Sequence, residues 1–292
     1  MTEKIKIAIA SGKGGTGKTL ISTNLFNALQ KQKRVVTLVD CDAEEPNDRE
    51  FISGELTQSI EVTQLIPVID ESKCSYCGKC HEYCNYNAIF FVREASIIKV
   101  MEDLCHGCGA CSVACEFGAI TEKEDLLGTV SQYSISENST LIEARMKVGV
   151  HSPVSTIKAA INATESNGIV ILDAPPGTSC PFIQTVAQAD YVVLVTEPTP
   201  FGLSDLKQSV ETLKTLGKPC GVIVNRAGLG DLEVHNYFKQ ENIPLLMSIP
   251  FDREIASIYS NGGLLTNEDA EWEQKFNQLF TSIATEYGNS SN

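Results

Sequence analysis

Eight cysteines fall in two runs of identical spacing, Cys74-x2-Cys77-x2-Cys80-x3-Cys84 and Cys105-x2-Cys108-x2-Cys111-x3-Cys115. Thiolates spaced this way let one loop wrap three ligands around an inorganic cube, while the fourth cysteine begins the next element. Zinc sites draw four ligands from two C-x2-C pairs and have no use for a triple run. Disulfides need an oxidising compartment, and the chain opens straight into the β-prone run Lys4–Ala10 with no cleavage pattern. The runs therefore read as ligands of two [4Fe–4S] clusters. A second chemistry lies in Gly12-Lys13-Gly14-Gly15-Thr16-Gly17-Lys18-Thr19, which fits G-x-x-x-x-G-K-[ST]. Its glycines let backbone N–H groups converge on phosphate oxygens. Lys18 is placed to reach the β- and γ-phosphates and Thr19 to ligate Mg²⁺. The expected cofactors are ATP or ADP, Mg²⁺ and the two clusters.

Each cysteine run matches the spacing of bacterial ferredoxins, in which the fourth cysteine serves the other cube. That likeness assigns Cys74, Cys77, Cys80 and Cys115 to one cluster and Cys105, Cys108, Cys111 and Cys84 to the other. Ferredoxins usually carry proline after the fourth cysteine; Asn85 and Glu116 stand there here, a change that relaxes a turn and removes no ligand. Small residues between the ligands (Gly78, Gly107, Gly109, Ala110, Ser112) suit close approach to sulfide. Asn87-Ala88-Ile89 and Gly118-Ala119-Ile120 follow the two runs at equivalent places, the mark of an internal duplication.

The whole string SGKGGTGKT resembles the deviant phosphate loop of the MinD/ParA/Mrp superfamily, which includes the nitrogenase iron protein. The resemblance implies that Lys13 crosses a nucleotide-sandwich dimer to the partner's phosphates, so ATP would join two subunits. It also implies roles for residues further on. Asp42 would position the attacking water, and Asp40 would support Mg²⁺ through its water shell. Asp173 would hold Mg²⁺ indirectly, and Gly177 would offer its N–H to the γ-phosphate. Asn225 would hydrogen-bond adenine, and Pro250, with Phe251 and Asp252, would cover the base. The expected catalytic residues are Lys13, Lys18 and Asp42. Three cysteines are left over. Cys220 reads as an inert small hydrophobe. Cys41 lies inside the Asp40–Asp42 segment. Cys180 reads as a buried thiol or, by likeness to the iron protein, as a cluster ligand at a dimer interface.

Positioning these residues requires a sheet. Strands are predicted at 4–10, 34–39, 168–172, 191–196, 221–225 and 245–249, with helices at 20–31, near 154–166, 203–216, 231–241 and 252–260, and over 271–287. Continuous apolar strands alternating with helices indicate a parallel sheet covered on both faces. The expected fold is α/β: a mostly parallel P-loop NTPase sheet flanked by helices, with an inserted small α+β domain of bacterial ferredoxin type. The expected division is 1–62 and 126–292 for the ATPase domain and 63–125 for the insertion. The last residues, 288–292, read as a loose end.

Among 292 residues, a formal net charge of -14 argues against nucleic acid and against docking on an anionic membrane. No run approaches the ~20 apolar residues of a membrane span. The tail helix lacks the basic flanks of a membrane-surface helix, so its apolar side, Trp272, Phe276, Leu279, Phe280 and Ile283, is expected in the core. Together these features predict a cytoplasmic ATPase, slow without a partner, that gates electron transfer or aids metallocluster assembly. Its partners would be ATP, a second copy or a homologous subunit, and a redox or metallocluster client. Two alternatives stand beside it: a MinD-like positioning or regulatory ATPase with structural or redox-sensing clusters, and an adaptor that binds ATP and scarcely turns it over.

Overall fold

A computed structural model of the chain describes residues 4–164, 167–230 and 232–290. Positions 1–3 of the expected start, 165–166 and 231 of two expected helices, and 291–292 of the expected loose end lie outside them. In chain order the elements are β1 (Ile5–Ala10), α1 (Lys18–Lys31), β2 (Val36–Asp40), β3 (Glu55–Ile69), α2 (Lys79–Glu82), β4 (Ile89–Val92), β5 (Ile97–Val100), α3 (Ala110–Ala114), β6 (Ile120–Ser136) and β7 (Ser139–Met146). Then come α4 (Val154–Asn162), β8 (Ile169–Asp173), α5 (Cys180–Ala187), β9 (Tyr191–Thr196), α6 (Pro200–Thr215), β10 (Cys220–Ala227), α7 (Glu233–Gln240), β11 (Leu245–Pro250), α8 (Arg253–Ser260), α9 (Leu265–Glu268) and α10 (Ala270–Ser290). The described residues form two compact units. One comprises the chain up to Ile60 with Val130–Arg145 and everything from Val154; the other comprises Glu61–Thr129 and Met146–Pro153.

Nine strands make one sheet in the order β11-β10-β9-β1-β8-β2-β7-β6-β3. The pairs β1–β8, β1–β9, β2–β8, β2–β7, β9–β10 and β10–β11 are parallel. Strands β2, β8 and β9 are buried along their whole length, which is why their sequences are unbroken apolar runs rather than alternations. The core gathers Ile7, Leu38, Ile171 and Val193 from the sheet with Leu25 and Phe26 of α1. Phe276, Leu279, Phe280 and Ile283 of α10 lie in the same core, as expected, and α10 runs on to Ser290 where a loose end was predicted. Register matters for function: Asp40 pairs with Asp173 across β2–β8. Both acids therefore leave the carboxyl edge side by side. The strand order reverses at β1, and open α/β sheets bind ligands in the crevice beyond such a reversal.

Strands β3, β6 and β7 escaped the sequence reading. The first seven residues of β3, Glu55–Glu61, are exposed, and their mostly polar composition suits a sheet edge rather than a buried run. The two-residue link Glu137-Asn138 joins the sheet neighbours β6 and β7, the connection of a hairpin.

In the smaller unit the duplication reaches the backbone. Tyr76, Gly78 and Asn87 adopt left-handed φ angles of 51°, 85° and 53°. Their counterparts Gly107, Gly109 and Gly118, at the same offsets in the second run, have 63°, 72° and 60°. Gly78 and Gly109 each open a one-turn helix, α2 or α3, that carries the third cysteine of its run. Cys80 and Cys111 pack with Ile89 and Ile98 into a small core of their own, over the β4–β5 hairpin.

Candidate functional site

The glycine-rich segment joins β1 to α1, so the first backbone N–H groups of α1, which have no partner within the helix, face the loop. Gly17 caps the helix at φ 97°. A Cβ there would lie 2.4 Å from Asn225 Nδ2, and one on Gly12 would lie 2.6 Å from the Asp205 carbonyl oxygen. Only glycine fits between the loop and those neighbours. Asn225 closes the arrangement from β10: its Nδ2 donates to the Thr16 carbonyl at 2.7 Å, and its Oδ1 accepts from Arg226 N. The residue expected to read adenine thus also pins the loop.

Thr19 Oγ1 donates to Asp173 Oδ2 at 2.7 Å, with Asn47 Oδ1 a longer second acceptor at 3.2 Å. Giving its proton to Asp173 leaves the Thr19 oxygen lone pairs for a hard cation, the donor type Mg²⁺ takes. Asp40 accepts hydrogen bonds from the loop that follows it. Its Oδ1 accepts from Asp42 N (3.1 Å) and its Oδ2 from Asn47 N (2.8 Å) and Asp48 N (3.0 Å). It therefore folds the 42–48 loop and delivers Asn47 to Thr19. Asp48 is fully buried. Burial, then the charges of Asp40 and Asp173, push its carboxyl well above the usual range. Burial lowers the Lys18 ammonium against the pull of Asp173 and Asp42. The same effect raises Asp42 to about 6, opposed by Lys18. Lys18 and Asp42 thus lie within electrostatic reach of one another.

Two other expected groups are engaged within the chain. The Gly177 N–H, expected at a phosphate, donates to the Ser11 carbonyl at 3.2 Å. Lys13 Nζ lies 3.4 Å from Glu197 Oε2, at the end of β9. Beside the loop a cavity of about 270 Å³ is lined by Gly15, Gly17, Asn225, Pro250, Phe251 and Tyr259, among others. Its volume is near the low end of the range for small-molecule pockets, and its lining includes Asn225 and Pro250. Cys41 is buried, and burial pushes its thiol well up. Cys220 is pushed to about 11 by the same cause. Both are inert thiols on that account. Cys180, expected to be buried, is exposed at the start of α5.

In the smaller unit the eight cysteines separate into two foursomes. Cys74, Cys77, Cys80 and Cys115 line one small cavity. Cys84, Cys105, Cys108 and Cys111 line another. Each leaves about 20 Å³ of open space, room for about one water-sized sphere. Among the described residues no three His, Cys, Asp or Glu side chains converge tightly enough to hold a single metal ion. The four thiols of each set instead share the lining of one cavity. Backbone N–H groups already point at sulfur: Tyr76 N at Cys74 Sγ (3.4 Å), Gly107 N at Cys105 Sγ (3.5 Å) and Ala88 N at Cys84 Sγ (3.2 Å). The first two sit at equivalent left-handed positions of the duplicated loops. Burial pushes the Cys80 thiol up to about 11 and raises Cys105 and Cys111.

A family model described as the CobQ/CobB/MinD/ParA nucleotide binding domain matches residues 7–265. The chain belongs to this family. As a family member it has a MinD/ParA-like P-loop, and the domain implies ATP or ADP with Mg²⁺ as ligand. It is 32% identical over 269 residues to an uncharacterized protein of Methanocaldococcus jannaschii, covering 90% of this chain and 91% of that one. More distantly, it is 22% identical over 296 residues to an iron-sulfur cluster carrier protein of Methanococcus maripaludis, covering 96% of this chain and 84% of the other. Among solved structures it resembles in fold the septum site-determining protein MinD of Pyrococcus horikoshii complexed with Mg-ADP. That likeness has TM-score 0.59 and 19% identity, covering 99% of each chain.

Sequence reasoning passed over several residues of this family member's site. Asn47, Asp48, Glu197, Arg226 and Tyr259 received no role. Glu197 carried a usable signal, since it directly follows a buried parallel strand at the edge where ligands bind. Asn47 had a weaker one: Pro46-Asn47 reads as a turn, and nothing local says that the turn folds back onto Thr19. Among the described residues no helix is long and apolar enough to cross a membrane.

Proposed function

We propose that the chain binds and hydrolyses Mg·ATP and holds two [4Fe–4S] clusters, using an ATP-closed dimer to gate electron transfer or metallocluster assembly. The observation that carries this reading is the sorting of eight cysteines into two foursomes, each around its own cavity, on a chain that also carries a phosphate loop. Bound cubanes would supply one-electron redox chemistry at potentials set by hydrogen bonds and exposure. The chain's own part is to present Cys74, Cys77, Cys80 and Cys115 on one side and Cys105, Cys108, Cys111 and Cys84 on the other. The N–H groups of Tyr76, Gly107 and Ala88 stabilise thiolate charge.

At the nucleotide, the loop N–H groups and Lys18 hold phosphate, Thr19 takes Mg²⁺ with Asp173 behind it, and Asp42 orients water. Lys13 reaches the partner subunit, which is either a second copy or a homologue. In sequence the cysteine runs follow soon after the Asp40–Asp42 segment, so a switch there is placed to report nucleotide state to them. The reading as a positioning ATPase is weakened by α10, whose apolar face is spent on the core and is not free for a membrane surface.

The test is anaerobic reconstitution with iron and sulfide, followed by potentiometry in ADP and in a non-hydrolysable ATP analogue, with turnover measured against Asp42→Ala. A colourless product ends the cluster reading, equal potentials in both nucleotides end the coupling, and turnover equal to that of Asp42→Ala ends the ATPase reading.

A further inference from the structure

Glu197 is an acid at the lip of the phosphate loop that the proposed reaction does not use. Its carboxylate is nearly buried and meets two cations of unlike standing. Arg226 Nη1 lies 2.6 Å from its Oε1, while Lys13 Nζ lies 3.4 Å from its Oε2. Arg226 is itself fixed: its Nη2 donates to the Gly15 carbonyl at 3.3 Å and its backbone N–H to Asn225 Oδ1 at 2.9 Å. Its backbone takes a left-handed φ of 54°, an uncommon setting for a side-chain-bearing residue. The Glu197 backbone is equally confined. Its carbonyl accepts from Thr199 N at 2.8 Å, and a Cβ on Gly202 would come within 2.3 Å of that oxygen. Of the two cations Lys13 makes the longer contact, 3.4 Å against 2.6 Å, and its side chain is about one-third exposed against about half for Arg226.

We infer that Glu197 is a positioning residue that holds Lys13 in reserve against its own chain until a partner subunit claims it. The inference rests on the proposed reading of Lys13 as a lysine that acts across a dimer. The geometry makes the release inexpensive. A buried carboxylate stripped of every partner is strongly unfavourable, but Arg226 keeps Glu197 paired when Lys13 departs. What breaks is a long pair with one exposed member, and such pairs contribute about 1.4- to 5-fold in an equilibrium each. Two are broken per dimer, so the reserve weakens ATP-driven association by about 2- to 30-fold.

Glu197→Gln tests this at two levels. The first is the labelling rate of Lys13 by an amine-reactive ester in the nucleotide-free chain, read by peptide mass spectrometry, with Lys31 as internal reference. The variant is expected to label severalfold faster at Lys13 and unchanged at Lys31; an unchanged Lys13 rate overturns the inference. The second is the protein concentration at which the ATP-loaded chain dimerises, expected to fall by about 2- to 30-fold. Without ATP the variant's dimerisation should match that of wild type. If a shift of the same size appears without nucleotide, Glu197 acts through the fold and the inference is overturned. Faster labelling with no ATP-dependent dimer in either protein supports the Lys13–Glu197 pairing and removes the dimer reading on which its purpose rests. Should Glu197→Gln fail to fold, Glu197→Asp, one methylene shorter, is expected to speed Lys13 labelling in the same direction, and no change there refutes it.

Discussion

Thr19→Val removes one hydroxyl from the nucleotide site and keeps the side chain's shape. In the free chain that hydroxyl donates 2.7 Å to Asp173 Oδ2, and the other Asp173 oxygen, Oδ1, has no partner within the protein. The change therefore takes from a 2% exposed carboxyl the hydroxyl that donates to its Oδ2, with Ser22 and Asp48 as its remaining side-chain neighbours. A hydrogen bond to a charged group contributes about 1.5–3 kcal/mol. At about 2–4 °C per kcal/mol for a unit of this size, the melting temperature should fall by about 3–12 °C. The second effect needs Mg²⁺. Where the nucleotide is at a hundred times its dissociation constant it adds about 2.7 kcal/mol of stability, and a tenfold loss of affinity halves that. Thermal melts of wild type and variant with ADP, with and without Mg²⁺, separate the two effects. The Mg²⁺-dependent increment should shrink by about 1.3 kcal/mol or more, while the Mg²⁺-free increment from ADP stays. An undiminished Mg²⁺ increment in the variant would refute Thr19 as the metal's ligand. A melting temperature equal to wild type without nucleotide would refute the weight given to the Asp173 contact.

Three further outcomes are expected. Because burial raises Asp42 to about 6, kcat/KM should climb with pH through that region, and Asp42→Asn should abolish both the activity and the climb. The sign for stability is opposite: with the folded value above the unfolded one, ionised Asp42 costs stability above about pH 6. Asp42→Asn should therefore melt higher than wild type at pH 8, with the gain fading toward pH 4; no gain at pH 8 contradicts the burial argument. Among cysteine variants, Cys115→Ser should share its electron paramagnetic resonance spectrum and iron loss, about four of eight irons, with Cys74→Ser. Pairing instead with Cys105→Ser would overturn the sorting into two cavities. Gly17→Ala places a Cβ 2.4 Å from Asn225 Nδ2 at φ 97°, so it should displace Asn225 from Thr16 and weaken ADP binding at least about tenfold, at a strain of about 1–2 kcal/mol. Calorimetry showing wild-type affinity would contradict this.

The central sheet was legible because β2, β8 and β9 are buried on both faces and therefore spelled as apolar runs. The edge strand β3 was not, since exposed residues on both faces leave no period for a reader to find. At the site, the phosphate loop and the cysteine runs declare themselves because short-range spacing is the chemistry. Contacts that depend on folding back across the chain were not legible. Asp40 reads as a metal supporter, and its hold on the 42–48 loop was not foreseen. Asn225 reads as an adenine contact and is also a strut for Thr16 across 209 positions of sequence. Gly177 reads as a phosphate donor and gives its N–H to Ser11. Each involves a partner that no local pattern specifies.

The crossing of the fourth thiols has a consequence for how the smaller unit could arise and fail. Cys115 completes the cavity of the first run and Cys84 that of the second. Each half of the duplication thus lends the other a thiol, and neither completes its own set. An ancestor with one run would have needed two copies side by side to complete either foursome. By the same logic, cutting the unit between its halves should forfeit both foursomes at once rather than sparing one.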